Sequence, residues 1–231
     1  MTTVDALLKT IFDGRKTALY AEFAEWVRGS RRFRAFAEQY QAKIRAKLSN
    51  VRDEGGMQDL RAELAAAVLL LREDRFMLEY EKYAASKQRG PDFTVTFKTH
   101  TPFNVEVRRF RSMELEEDDA EARLHKLMAV LCDKVGQMPP SIINVLWLKA
   151  EHPISDDSVT QAMAMLRQLA EHKNEVFFTR RGYASAADFL KRNRQLSGIV
   201  LHQPDSNSIW LNPLAKHKLP PEIVNALNRL I

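Results

Sequence analysis

Gly90-Pro91-Asp92-Phe93-Thr94-Val95-Thr96-Phe97 and Phe103-Asn104-Val105-Glu106-Val107-Arg108 are the two stretches whose reading decides the fold. In each, apolar residues take every second position: Phe93, Val95 and Phe97 in the first, Phe103, Val105 and Val107 in the second. Alternation of β-branched and aromatic residues with period two predicts strands. A turn at Thr99 to Pro102 separates them. If the two strands pair as a hairpin, Asp92 at the start of one comes close to Glu106 in the middle of the other. Arg108, two residues beyond Glu106, shares its face.

Working outward, Phe76 to Tyr83 alternates in the same way and predicts an earlier strand, joined through a turn at Lys87 to Pro91. Before it, Asp59 to Leu71 is rich in Ala and Leu and predicts a helix. After the hairpin, Ala120, Leu124, Leu127, Leu131 and Val135 form one stripe of a helix from about Asp118 to Gly136, stopped by Gly136 and Pro139-Pro140. Ile142 to Leu148 is an apolar run between turn residues and predicts a buried strand. Ser155 or Asp156 then caps a helix carrying Val159, Met163, Leu166 and Ala170. From Met57 onward the order is helix, three strands, helix, strand, helix.

The flanks are helical or mixed. Val4, Leu7, Leu8 and Ile11 mark one short helix, and Tyr20, Phe23, Ala24 and Val27 a second. Phe33, Phe36, Ala37, Tyr40, Ile44 and Leu48 recur as one further stripe, started by Ser30. Its opposite face holds Arg31, Arg32, Arg34, Lys43, Arg45 and Lys47. Gly55-Gly56 is the candidate boundary. In the tail, Ser185 with Asp188 starts a helix, Ile199-Val200-Leu201 and Ile209-Trp210-Leu211 read as short strands, and Pro220-Pro221 opens a last helix. The expectation is an α/β protein: a helical extension over residues 1–56 and an α/β domain over 57–231, with its core in 57–150.

Glu63 is the only charged residue between Arg61 and Arg72. An unpaired carboxylate on the core-facing side of a helix is costly, so a basic partner or a metal should compensate it. Acidic oxygens of this kind suit Mg²⁺ or Mn²⁺, and a cation beside them suits phosphodiester hydrolysis.

Pro91-Asp92, then Glu106-Val107-Arg108, after a helix bearing Glu63, resembles the PD-(D/E)XK nuclease superfamily. That family's core runs helix, three strands, helix, strand, the restriction-endonuclease-like fold, and the resemblance covers under half of the chain. It implies Asp92 and Glu106 as metal ligands and Glu63 as the auxiliary helix acid. The motif's lysine position is held by Arg108. Arginine keeps the charge but hardly ever deprotonates. It either anchors phosphate and orients water or marks a chain that lost cleavage and kept binding.

Bulk composition narrows the rest. The chain has 231 residues and a net charge of +5. Residues 1–56 carry 11 basic against 7 acidic side chains, residues 112–170 carry 5 against 10, and residues 171–231 carry 9 against 5. Basic ends around an acidic middle are compatible with a polyanion partner. Arg109 and Arg111 beside the site, with Arg31, Arg32 and Arg34 on the basic helix, are the candidate nucleic-acid contacts, to DNA before RNA. Equally, such a helix is often the wet face of an amphipathic element.

The lone Cys132 sits in an apolar pattern and is expected to be buried and inert. The six histidines show no zinc-ligand spacing, and no Gly-rich phosphate loop occurs. The longest uncharged apolar run, Leu64 to Leu71, is too short to span a bilayer, and the first residues do not read as a signal peptide. A cytoplasmic, metal-dependent nuclease is the first reading. In that reading the N-terminal helices add DNA contacts or a homodimer interface. The alternatives are a binding protein on the same fold without cleavage, and an interaction module whose N-terminal helices pair with a partner protein.

Overall fold

A computed structural model describes residues 3–15, 17–83, 90–111 and 120–231. Most of the expected Lys87–Pro91 turn, and the start of the helix expected from Asp118, lie outside the described residues.

Four helices come first: α1 (Val4–Phe12), α2 (Ala18–Gly29), α3 (Arg31–Gln39) and α4 (Gln41–Asn50). Then follow α5 (Glu54–Leu70), β1 (Phe76–Tyr80), β2 (Phe93–Phe97), β3 (Thr101–Phe110), α6 (Ala120–Val135) and β4 (Ile143–Ala150). The remainder is α7 (Asp156–Glu171), α8 (Glu175–Thr179), α9 (Ala186–Asn193), β5 (Gly198–His202), β6 (Ser208–Leu211) and α10 (Pro221–Asn228). The fold class is α/β, with one open, mixed six-stranded sheet in the order β1-β2-β3-β4-β5-β6. β1, β2 and β3 are mutually antiparallel, β3, β4 and β5 run parallel, and β6 is antiparallel at the far edge. No helix among the described residues is long and apolar enough to cross a membrane.

The expected caps form. The Ser30, Ser155 and Ser185 side chains accept hydrogen bonds from the first turns of α3, α7 and α9. The Asp188 carboxylate also accepts from the Ala184 amide at 3.2 Å, one residue ahead of the Ser185 cap. Two sequence expectations differ in detail, and one short helix was not foreseen. The stripe from Phe33 to Leu48 is two helices, because Tyr40 leaves helical geometry at φ −109°, ψ 18°. Gly55-Gly56 lies inside the first turn of α5, where the Asp53 side chain caps the Gly56 amide at 2.7 Å. An added Cβ at 55 would stand 2.8 Å from the Arg111 guanidinium, the end of a flexible side chain that can swing aside. The short α8, between α7 and α9, carries too few turns to show as a period.

The sheet is covered on both faces. On one side α1–α5 and α10 pack against Phe76, Phe93, Val95, Phe103, Val105, Val145 and Trp147. On the other, α6, α7 and α9 pack against Phe110, Leu146, Leu148, Ile199 and Leu201. Consecutive residues of β4 thus serve opposite cores, which is why its sequence is apolar throughout. Residues 1–56 share the first core with the sheet. Aromatic contacts link them to it: Phe36 meets Tyr80 and Phe93 at 5.6 and 6.3 Å between ring centroids.

The basic side chains of α3 and α4 are not all in water. Arg32 donates to the carbonyls of Leu71 and Glu73 at 2.7 Å and to that of Phe76, and Lys43 donates to those of Tyr80 and Glu81 at 2.8 and 3.2 Å. These carbonyls belong to the edge strand β1 and its approach, so the two cations close an edge otherwise open to another strand. Arg32→Ala should lower unfolding free energy by about 2 kcal/mol, the cost of carbonyls losing charged donors. Chemical denaturation of the variant measures this, and an unchanged midpoint would contradict the role.

Candidate functional site

The site is assembled at the end of the β2–β3 hairpin, where α4, α5 and α6 approach. Phe93 and Val105 are the last register pair of the hairpin, so Asp92 stands beside Glu106 one step further on. There Asp92 turns one carboxylate oxygen, Oδ2, to accept the Val107 amide at 2.8 Å. Its other oxygen, Oδ1, lies 3.9 Å from the Lys47 ammonium. Lys47, at the end of α4, donates to Glu63 Oε1 on α5 at 2.6 Å and pairs with Glu81 at 2.9 Å. Its ammonium also stands 4.9 Å from the centre of the Tyr80 ring. The buried Tyr80 hydroxyl faces Glu63 without forming a well-shaped hydrogen bond.

Glu106 belongs to the opposite face of β3, with Asn104, and is bound by Lys134 from α6. Thr94 donates to Asn104 at 2.9 Å, and Asn104 to Asn144 at 3.1 Å. Asn144 in turn donates to three backbone carbonyls, of Pro139, Ile142 and Gln195. This satisfied ladder crosses β2, β3 and β4 beside Glu106 and holds its strand in register. A cavity of about 10 Å³, room for one water, lies against Asn104, Glu106, Lys134 and Asn144.

Asp92 is the electrostatic link, with the Glu106 charge acting on it from one side and its own charge acting on Glu63 from the other. Burial pushes the Asp92 carboxyl up to about 7, and the charge of Glu106 adds to the rise while Lys47 opposes it. Burial likewise pushes Glu63 up to about 7, with Asp92 adding and Lys47 opposing. Perturbation of this kind in clustered acids is typical of functional sites. It also sets a pH dependence. Both carboxyls titrate higher in the folded than in the unfolded chain, so the folded state binds the extra protons. Their contribution to stability therefore falls as pH rises from about 4.5 to about 7, then levels off. Thermal melts of Glu63→Gln against wild type should diverge in that window, the variant gaining relative stability as pH rises. Parallel curves would contradict the assignment.

The remaining sequence candidates are distributed differently. Arg108 shares the face of Glu106 and is half-buried, yet makes no ion pair or hydrogen bond with a described residue. Arg109 is on the other face, bound to Asp59 at 3.2 Å and Glu151 at 3.4 Å. Arg111 pairs with Asp59 at 2.6 Å and reaches the Gly55 carbonyl at 3.1 Å. Arg34 pairs with Glu38, Arg32 closes the sheet edge and Arg31 is exposed. The compensating partner of Glu63 is thus a lysine from the N-terminal helices.

Lys47 and Lys134 are the residues that sequence reasoning passed over. A signal existed for each. Lys134 lies seven residues after Leu127 and three after Leu131, and Lys47 lies seven after Tyr40 and three after Ile44. Lys134 is thus a cation on the core-facing stripe of its helix, whereas Lys47 borders its own apolar stripe from the basic face with which the sequence groups it.

Hard carboxylate oxygens suit a divalent cation such as Mg²⁺. Among the described residues, however, no three His, Cys, Asp or Glu side chains are grouped so as to hold a metal ion. Lys47 stands between Glu63 and Asp92, so an ion would rest on Asp92 and Glu106, with Glu63 held off by the ammonium. On that pair Asp92 Oδ2 is taken by the Val107 amide and Glu106 Oε1 by the Lys134 ammonium, so Asp92 Oδ1 and Glu106 Oε2 are the hard oxygens such an ion would use. The Cys132 thiol is buried, and burial pushes it up to about 11, so it offers no competing ligand. No family model, curated protein or solved structure matches this chain.

Proposed function

We propose that the protein is a divalent-metal-dependent nuclease with a restriction-endonuclease-like core, hydrolysing phosphodiester bonds of DNA before RNA. The observation that carries this reading is geometric: Asp92, just before β2, stands beside Glu106 of β3 and is linked to Glu63 of α5 through the Lys47 ammonium. The run α5, β1, β2, β3, α6, β4 has the order of the PD-(D/E)XK core, which supports it.

Asp92 and Glu106 would hold Mg²⁺ or Mn²⁺. When bound, the ion would polarise the phosphoryl group and acidify water there. The chain's own residues do the rest. The Val107 amide fixes the rotamer of Asp92. Lys134, already on Glu106, supplies the cation that the motif places two residues after its second acid, from a helix instead of the strand. An ammonium can orient the attacking water and offset charge developing on phosphate. Arg108, unengaged on the same face, is free to meet a phosphate oxygen and position the backbone.

A second reading, nucleic-acid binding without cleavage, draws on the two lysines seated among the acids. The experiment is cleavage of plasmid and single-stranded DNA with Mg²⁺ or Mn²⁺, comparing wild type with Asp92→Ala. Metal-dependent nicking by wild type alone is expected. Salt-sensitive binding without cleavage under either metal would favour the second reading.

A further inference from the structure

Lys47 is an unusual neighbour for a metal site. Its ammonium occupies the space between Glu63 and Asp92, at 2.6 and 3.9 Å, and takes Glu81 at 2.9 Å as well. Those two carboxylate oxygens are therefore no further apart than these two legs together. A single compact cation already does for them what a metal would do. The same pocket contains the buried Tyr80 hydroxyl, turned toward Glu63.

We propose that Lys47 is a built-in counter-cation that competes with the divalent ion, an autoinhibitory contact delivered by α4. This rests on the nuclease reading above and adds a regulatory device to its site. Three features make it specific. The lysine comes from residues 1–56, outside the α5-to-β4 core that holds the acids. Its ammonium is tied to side chains of the site alone and to the Tyr80 ring, so it can leave without breaking backbone hydrogen bonds. Its four-carbon stem lies near the surface end of α4, with the side chain 27% exposed, so a short rotation returns the charge to water. With a divalent ion on Asp92 and Glu106, the Lys47 ammonium would be repelled toward water and Glu63 left free to turn toward Asp92.

The probe is Mn²⁺ alone, titrated into the full chain by calorimetry without DNA. Lys47→Gln removes the competing charge and keeps a hydrogen-bonding side chain. It should bind Mn²⁺ at least tenfold more tightly than wild type, whereas Glu106→Gln should bind more weakly. Equal or weaker binding by Lys47→Gln, with Glu106→Gln still impaired, would overturn the competition and leave the metal site standing. No Mn²⁺ binding by any of the three proteins would overturn both. Should Lys47→Gln fail to fold, wild type still decides the matter. Amine-reactive labelling of Lys47, read by mass spectrometry, should accelerate severalfold when Mn²⁺ is added. An unchanged labelling rate at saturating Mn²⁺ would overturn the displacement.

Discussion

Asp92→Asn should reduce metal-dependent DNA cleavage by a factor on the order of 10²–10³ or more, while leaving the protein at least as stable as wild type at pH 8. The two halves of the expectation come from one observation. Asp92 is central: it neighbours Glu106, shares Lys47 with Glu63 and is held by the Val107 amide. Its charge is unwelcome in the resting fold, since burial and Glu106 together push its carboxyl up to about 7. Asparagine keeps an oxygen for the Val107 amide and removes the repulsion. A loss of activity accompanied by unfolding would point instead to a structural role. Single-turnover cleavage beside a thermal melt separates the outcomes.

Lys134→Met should be the second large effect, about 10²-fold on the cleavage rate, against less than about tenfold for Arg108→Ala. The difference lies in what each cation touches. The Lys134 ammonium is bonded to Glu106, whereas Arg108 reaches no described acid. Lys134→Met also leaves Glu106 buried without its partner, which should cost about 3 kcal/mol of stability at neutral pH. The double variant Lys134→Met/Glu106→Gln should recover most of that stability and none of the cleavage. For Arg108→Ala the expected signature is a raised KM with kcat nearly kept, as for a residue that only binds phosphate. A collapse of kcat in Arg108→Ala, with Lys134→Met active, would return the catalytic cation to the strand.

The parts of this account visible in the sequence were those governed by local periodicity. Phe93, Val95 and Phe97 alternate because one face of β2 is core, and the same rule exposes β3. Ser30, Ser155 and Ser185 announce their helices through hydrogen bonds three residues away. Glu63 was conspicuous because a carboxylate amid Leu and Ala needs a partner. The identity of that partner was hidden, since Lys47 is 16 residues distant and lies in a basic stripe resembling a wetted face.

Helix orientation decided which cations turned inward, and orientation depends on packing among α1–α5. Phe36 and Tyr40 lean on Tyr80 and carry Arg32, Lys43 and Lys47 toward the sheet edge and the acids. Lys134 was obscured in a simpler way. Arg108 already stood at the motif's cation position, so nothing in the strand pattern called for a second cation from a helix. The split at Tyr40 likewise escaped the pattern, because a change of helix axis preserves the apolar spacing on either side.

The central claim is that Asp92 and Glu106 form a site for a divalent ion. A crystal of the full chain soaked in Mn²⁺, with anomalous scattering recorded at the manganese edge, tests it most directly. The account predicts one strong anomalous peak between the carboxylates of Asp92 and Glu106, with the Lys47 side chain withdrawn from Glu63. A structure at saturating Mn²⁺ with no peak there, and with Lys47 and Lys134 still bonded to Glu63 and Glu106, would contradict it.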